Sequence, residues 1–227
     1  MPLTHVIRVR FSYPLQKLSI YWLGVFFYIS SLPNSILSLL LYIYYIMKSK
    51  KTVFLTGATG TMGHAGLVEL SKRLDRFNIT LLVRPSKINK EKLAAYETVA
   101  GIRIVWGDLT NYQDVLNGVT GADYVLHVGG MVSPAADYFP KKTLKVNTAA
   151  AQYIVDAVKA QPNADQIKVV YIGSVAQTGH RNAPVHWGRT GDPINISVYD
   201  HYAISKTIAE RIFVESGIKH WACLRQT

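Results

Sequence analysis

Thr52-Val53-Phe54-Leu55-Thr56-Gly57-Ala58-Thr59-Gly60-Thr61-Met62-Gly63 is the stretch that decides how this chain folds. An apolar run of buried-strand type enters a turn with glycines at 57, 60 and 63, and helical spacing follows to about Arg73. The first glycine permits the tight turn, the second lets backbone come close to a bound pyrophosphate, and the third lets helix pack closely on strand. The phosphate charge would lie at the helix N-terminus, where the first N–H groups have no partner within the helix. A glycine triplet alone is an ordinary turn; between a strand and a helix it points to a dinucleotide site.

Outward from this turn, short apolar runs alternate with helical periodicity. Strands are predicted over Ile79–Val83, Arg103–Trp106, Tyr124–Val128 and Lys168–Ile172, with a sixth starting at Trp221–Leu224. Helices are predicted over Gly63–Arg73, Tyr112–Val119, Lys142–Ala160 and Tyr202–Ser216. Asn147, Ala151, Ile154, Val155 and Val158 mark the buried face of the long helix. Continuous apolar strands alternating with helices predict an α/β, doubly wound parallel sheet covered on both faces. The segment His180–Ser197 reads as a long loop ahead of the last helix.

The formal charge of +11 comes from 25 basic and 14 acidic residues. Six basic residues fall within the first 51 positions and no acid precedes Glu69, so 19 basic and 14 acidic residues remain beyond. With no basic block there, nucleic acid is not an expected partner. A single cysteine, Cys223, excludes an intrachain disulfide, and the His spacing gives no ligand pair, so no metal is expected. Leu18 to Met47 is apolar and nearly uncharged, long enough for a membrane anchor. The competing reading is that Met47, followed by Lys48-Ser49-Lys50-Lys51 and the first strand, is the true start. The expected organisation is therefore a hydrophobic segment over residues 1–47 and a nucleotide-binding domain over 48–227. The expected location is the cytoplasm, with a membrane contact only if residues 18–47 are an anchor.

The Thr56-Gly57-x-x-Gly60-x-x-Gly63 spacing resembles the extended short-chain dehydrogenase/reductase family, a Rossmann-like, NAD-dependent epimerase/dehydratase type of chain. The resemblance covers about Lys51 to Thr227 and accumulates along it. It implies cofactor contacts at Gly57, Thr59, Gly60, Thr61, Met62 and Gly63. It places Asp108 and Leu109, in Gly107-Asp108-Leu109-Thr110, against the adenine. Val128 and Gly129 belong to the small-residue segment after the fourth strand, where Gly130 stands in place of the more usual alanine. Asn147 matches an Asn that the family carries early in the fourth helix, and is counted with the catalytic residues. Tyr202-Ala203-Ile204-Ser205-Lys206 matches the family's YxxxK, and Ser174, after the fifth strand, matches the serine that orients the substrate carbonyl.

Positions i and i+4 share one helix face, so the Tyr202 phenol and the Lys206 ammonium can project into one pocket. A nearby ammonium is expected to lower the phenol from its ordinary pKa near 10. Lys206 would also bond the nicotinamide ribose, by the resemblance. Arg84 follows the second strand, where an acid would bind the ribose 2′-hydroxyl of NAD and a basic residue favours the 2′-phosphate of NADP. Lys87 could add a second charge, so NADP is expected over NAD.

Three functional classes follow: a reductase or dehydrogenase for a ketone or secondary alcohol of a small molecule, an epimerase or dehydratase of nucleotide sugars with tightly held NAD, and a non-catalytic dinucleotide sensor. Val175-Ala176 lacks the acids that dehydratases add beside the serine. The Ser174/Tyr202/Lys206 set argues against a sensor. In extended members the chain continues into a small C-terminal substrate domain, so the sequence is expected to be truncated. A homodimer through the helices is the family's common assembly.

Overall fold

The structure is a computed structural model that describes residues 50–179, 191 and 193–226. The expected membrane segment and most of the expected long loop lie outside the described residues. Among the described residues, no helix is long and apolar enough to cross a membrane.

The chain alternates β1 (Lys51–Thr56), α1 (Thr61–Ser71), β2 (Phe77–Val83), α2 (Lys87–Leu93), β3 (Ile102–Trp106), α3 (Tyr112–Val119) and β4 (Tyr124–His127). It continues with α4 (Ala135–Tyr138), α5 (Pro140–Lys159), β5 (Lys168–Ser174), a 3₁₀ turn (Val175–Thr178), α6 (His201–Glu215) and β6 (Trp221–Gln226). All six strands pair in parallel in the order β3-β2-β1-β4-β5-β6. This is the doubly wound Rossmann-like order, and its reversal between β1 and β4 leaves a crevice at their carboxyl ends.

The expected elements are present with ends moved by at most two residues. Val128 lies beyond β4 rather than within it, and α1 begins at Thr61, inside the glycine turn. Two short helices, α2 and α4, were not anticipated. The first has only Ile88 and Leu93 as apolar positions among lysines, too few to show a period; its cap is legible afterwards, since the Ser86 side chain accepts the Asn89 N–H.

Successive residues of β1 point to opposite faces of the sheet, and the core divides accordingly. Phe54 joins Val115, Val119, Ile154, Val158, Tyr171 and Phe213 on the face covered by α3, α5 and α6. Leu55 joins Leu67, Ile79, Leu81 and Leu93 on the face covered by α1 and α2. Asn147, Ala151, Ile154, Val155 and Val158 are all buried along α5, as their spacing predicts.

Candidate active site

The glycine turn closes on itself and on the next strand over. Gly57 has φ +79°, and a side chain there would come within 2.8 Å of the Gly129 backbone. A Cβ on Gly63 would lie 2.0 Å from the Gly57 carbonyl oxygen, so helix and strand approach only because the residue is glycine. Gly60 is the N-cap of α1; it supplies no side-chain cap, and no acid occupies the first turn. The helix end therefore presents uncapped N–H groups and positive potential, which suits a pyrophosphate.

Thr56 ties this turn to β4. Its hydroxyl accepts the Gly129 N–H at 2.9 Å and pairs with His127 Nδ1 at 2.9 Å. His127 is fully buried against Tyr171 and Phe213, and burial, with Lys206 nearby, holds it down to about 3, so it packs as a neutral ring. Leu109 reaches toward Gly129, where an added Cβ would stand 2.8 Å from its Cδ1. Asp108 is engaged locally: its Oδ1 accepts the Thr110 N–H and hydroxyl, while its own N–H donates to Asp114. Val128 is half-buried beside this junction.

Arg84 is exposed at the end of β2, and its carbonyl accepts from the Asn89 side chain. Lys87 is exposed at the start of α2. Lys92 at the end of that helix, which sequence reasoning passed over, donates to the Thr59 carbonyl at 3.2 Å and so brings a cation to the glycine turn. The signal was absent because α2 itself was not anticipated.

Ser174 ends β5, and Tyr202 and Lys206 lie one turn apart on α6. The Ser174 hydroxyl accepts the Ala176 N–H at 3.2 Å and lies on the side of the Tyr202 phenol, whose titration it lowers. Lys206 is 4% exposed; its ammonium donates to the Ile172 carbonyl at 2.8 Å and stands over the Tyr171 ring, 5.0 Å from its centroid. Burial pushes Lys206 down to about 8. The phenol departs from expectation. Burial raises Tyr202 above its ordinary value, Ser174 opposes that rise, and Asp200 adds to it. Lys206 is 6.0 Å from the Tyr202 ring centroid with its charge directed at Ile172, so desolvation prevails over ammonium attraction.

Asn147 holds the segment after β4. Its Oδ1 accepts the Met131 N–H at 2.8 Å, and its amide donates to the Met131 carbonyl at 3.0 Å and to Ser205 at 2.9 Å. Gly130 has a local cause here: a Cβ in its place would stand 2.8 Å from Asn147 Oδ1. The structure thus gathers Ser174, Tyr202, Lys206 and Asn147 at one end of the sheet. Also unanticipated was a polar cluster beneath Ser174, made of Gln177, Glu210, Cys223 and Arg225. Among the described residues no group of His, Cys, Asp and Glu could hold a metal ion.

Residues 53–222 match the NAD dependent epimerase/dehydratase family. The chain belongs to this family. Among curated relatives, the UDP-glucose 4-epimerase of Rickettsia prowazekii is 27% identical over 111 residues, which are 47% of this chain and 32% of that protein. The 3 beta-hydroxysteroid dehydrogenase type 7 of Mus musculus is 27% identical over 168 residues, 71% of this chain and 43% of that protein. The chain therefore spans less than half the length of these relatives. The fold is that of the Bordetella bronchiseptica enzyme WbmH, solved in complex with NAD+ (TM-score 0.63, 21% identity, covering 78% of this chain and 56% of that one). It is also that of the UDP-Glc/GlcNAc 4-epimerase of Campylobacter jejuni (TM-score 0.65, 18% identity, 77% and 53%).

Proposed function

We propose that this chain is an NAD(P)-dependent oxidoreductase acting on a ketone or secondary alcohol of a small molecule, with Tyr202 as the acid/base. The observation that carries the reading is the convergence of Ser174, Tyr202 and a buried Lys206 at the end of the sheet where the glycine turn also opens. The cradle fits a dinucleotide: Gly57, Gly60 and Gly63 exclude side chains from it, and α1 supplies its positive end. Thr59, Thr61 and Met62 would line the pyrophosphate, Asp108 and Leu109 the adenine, and Val128 and Gly129 the nicotinamide side, with Lys206 on the ribose. When bound, the nicotinamide donates or accepts the hydride at the substrate carbon.

The remaining steps belong to the side chains. Ser174 would hold the substrate oxygen and share in stabilising its developing charge. Tyr202 would pass its proton to that oxygen as the carbonyl is reduced, or remove it as the alcohol is oxidised. A phenol raised above its ordinary value holds the proton that carbonyl reduction requires, and as a weaker acid than a free phenol it gives that proton up only to a substrate oxygen on which charge develops. Lys206, at about 8, carries a proton at neutral pH close to the site and lies behind the phenol. Asn147 would act through the Met131 segment and Ser205, both of which it bonds.

Exposed Arg84 favours NADP, since a guanidinium fork fits a 2′-phosphate. Arg84→Asp is expected to reverse the preference between NADPH and NADH in fluorescence titration; an unchanged ratio removes Arg84 from this role. The catalytic reading is tested by following nicotinamide absorbance with a panel of ketones. Tyr202→Phe should abolish turnover and leave cofactor affinity near normal.

A second reading is a nucleotide-sugar epimerase with NAD retained through its cycle. It draws support from the curated relative named UDP-glucose 4-epimerase. Nucleotide released on denaturing the freshly purified protein separates the two, since a reductase exchanges its cofactor and an epimerase of this kind keeps it.

A further inference from the structure

Beneath Ser174 lies a chain of hydrogen bonds whose direction is fixed at every link. Gln177 is fully buried, and its Oε1 accepts the Ser174 N–H at 2.8 Å. Its Nε2 donates to Glu210 Oε2 at 2.6 Å. A carboxylate only accepts, so the amide has one orientation: nitrogen to Glu210, oxygen to Ser174. Glu210 is itself held by the Arg225 fork, with Nε to Oε2 at 3.1 Å and Nη2 to Oε1 at 2.7 Å, and by the Cys223 thiol at 3.3 Å. Three elements thus meet behind the serine: the turn after β5, α6 and β6. Gly173 makes room for them, since a Cβ there would meet Gln177 Oε1 at 2.6 Å and Cys223 Sγ at 2.7 Å.

We infer that Gln177 and Glu210 are positioning residues, which set Ser174 against the Tyr202 phenol through the Ser174 backbone. The inference rests on the reading of Ser174 and Tyr202 as the working pair. Ser174 occupies the junction of strand and 3₁₀ turn, and its hydroxyl also accepts the Ala176 N–H. Both its N–H and its hydroxyl are therefore committed, and its rotamer follows from the turn. Removal of the Gln177 amide strands a buried N–H on Ser174 and leaves Glu210 without one of its donors, so the turn relaxes toward other partners. The fixed polarity also explains why an amide stands at 177 and a carboxylate at 210: two carboxylates would repel, and two amides would replace the charge-assisted Arg225–Glu210 pair by neutral hydrogen bonds.

The experiment uses the full chain labelled with tyrosine carrying ¹³C at Cζ, with the Tyr202 resonance identified by its loss in Tyr202→Phe. Ser174→Ala should displace that resonance by removing the serine hydroxyl. Gln177→Leu should displace it in the same direction by most of that amount, and the two together should add little to Ser174→Ala alone. Gln177→Glu should also displace it, and combining this with Glu210→Gln should return it toward its native position by restoring one amide and one carboxylate. A folded Gln177→Leu protein with an unmoved Tyr202 resonance, or effects that simply add, overturns the inference. Where Gln177→Leu does not fold, the double exchange decides: recovery supports the network, and no recovery removes it. None of this needs substrate, so a failure of the oxidoreductase reading shows in cofactor and turnover assays, while a failure here shows in the spectrum.

Discussion

At the scale of the residue, environment decides what each titratable group can do. Tyr202, Lys206 and His127 lie near one another and are all shifted by burial, with different consequences. His127 leaves a mark on stability. Its folded value near 3 lies below the ordinary 6.5. Above pH 6.5 neither state binds a proton there, and stability is complete. As pH falls toward 3 the unfolded chain takes up a proton that the folded chain refuses, so stability declines by up to about 1.4 kcal/mol per pH unit. Replacing His127 by Gln should flatten that part of the unfolding-temperature profile between pH 6.5 and 4; an unchanged slope assigns it to other groups. A Gly63→Ala protein should lose dinucleotide binding and about 1–3 kcal/mol of stability, because its Cβ would overlap the Gly57 carbonyl. Denaturant titration with and without nucleotide checks both effects. The glycine turn and the Tyr202/Lys206 spacing were legible in the sequence because they are local. The raised phenol and the Gln177–Glu210–Arg225 contacts were not, because they join residues up to 33 positions apart in the chain and depend on which of them the fold buries.

At the scale of the element, α6 carries the site on one side and the core on the other. Phe213 is fully buried and stacks on Tyr171 at 5.0 Å and on Trp221 at 6.0 Å, joining α6 to β5 and β6. Phe213→Ala should cost about 3–5 kcal/mol in chemical denaturation, the range for emptying an aromatic site in a packed core. A cost under about 1 kcal/mol would mean that the helix does not depend on this contact. The long elements were readable because twenty residues of α5 or the apolar runs of the strands sustain a period. Two elements of seven and four residues, α2 and α4, were not, since so short a stretch completes barely one or two turns. That omission hid Lys92, the one cation that touches the glycine turn among the described residues.

At the scale of the whole molecule, the strand order creates the site. Reversal between β1 and β4 opens the sheet where the glycine turn, the Gly129 segment and the end of β5 converge. The sequence alternation predicted a doubly wound sheet, and the family match over residues 53–222 agrees with it. Strand order itself came from the structure and not from periodicity, which records only that a strand is buried. A nucleotide that binds this crevice and not the unfolded chain should stabilise the protein by about 2.7 kcal/mol at a hundredfold excess over its dissociation constant, visible as a rise in unfolding temperature.

The most direct test of the central claim is a titration of the protein with NADPH and with NADH, followed by nicotinamide fluorescence. The account predicts saturable binding of both with NADPH preferred, and reversal of that preference in Arg84→Asp. Absence of saturable binding by either nucleotide to the folded protein would contradict it.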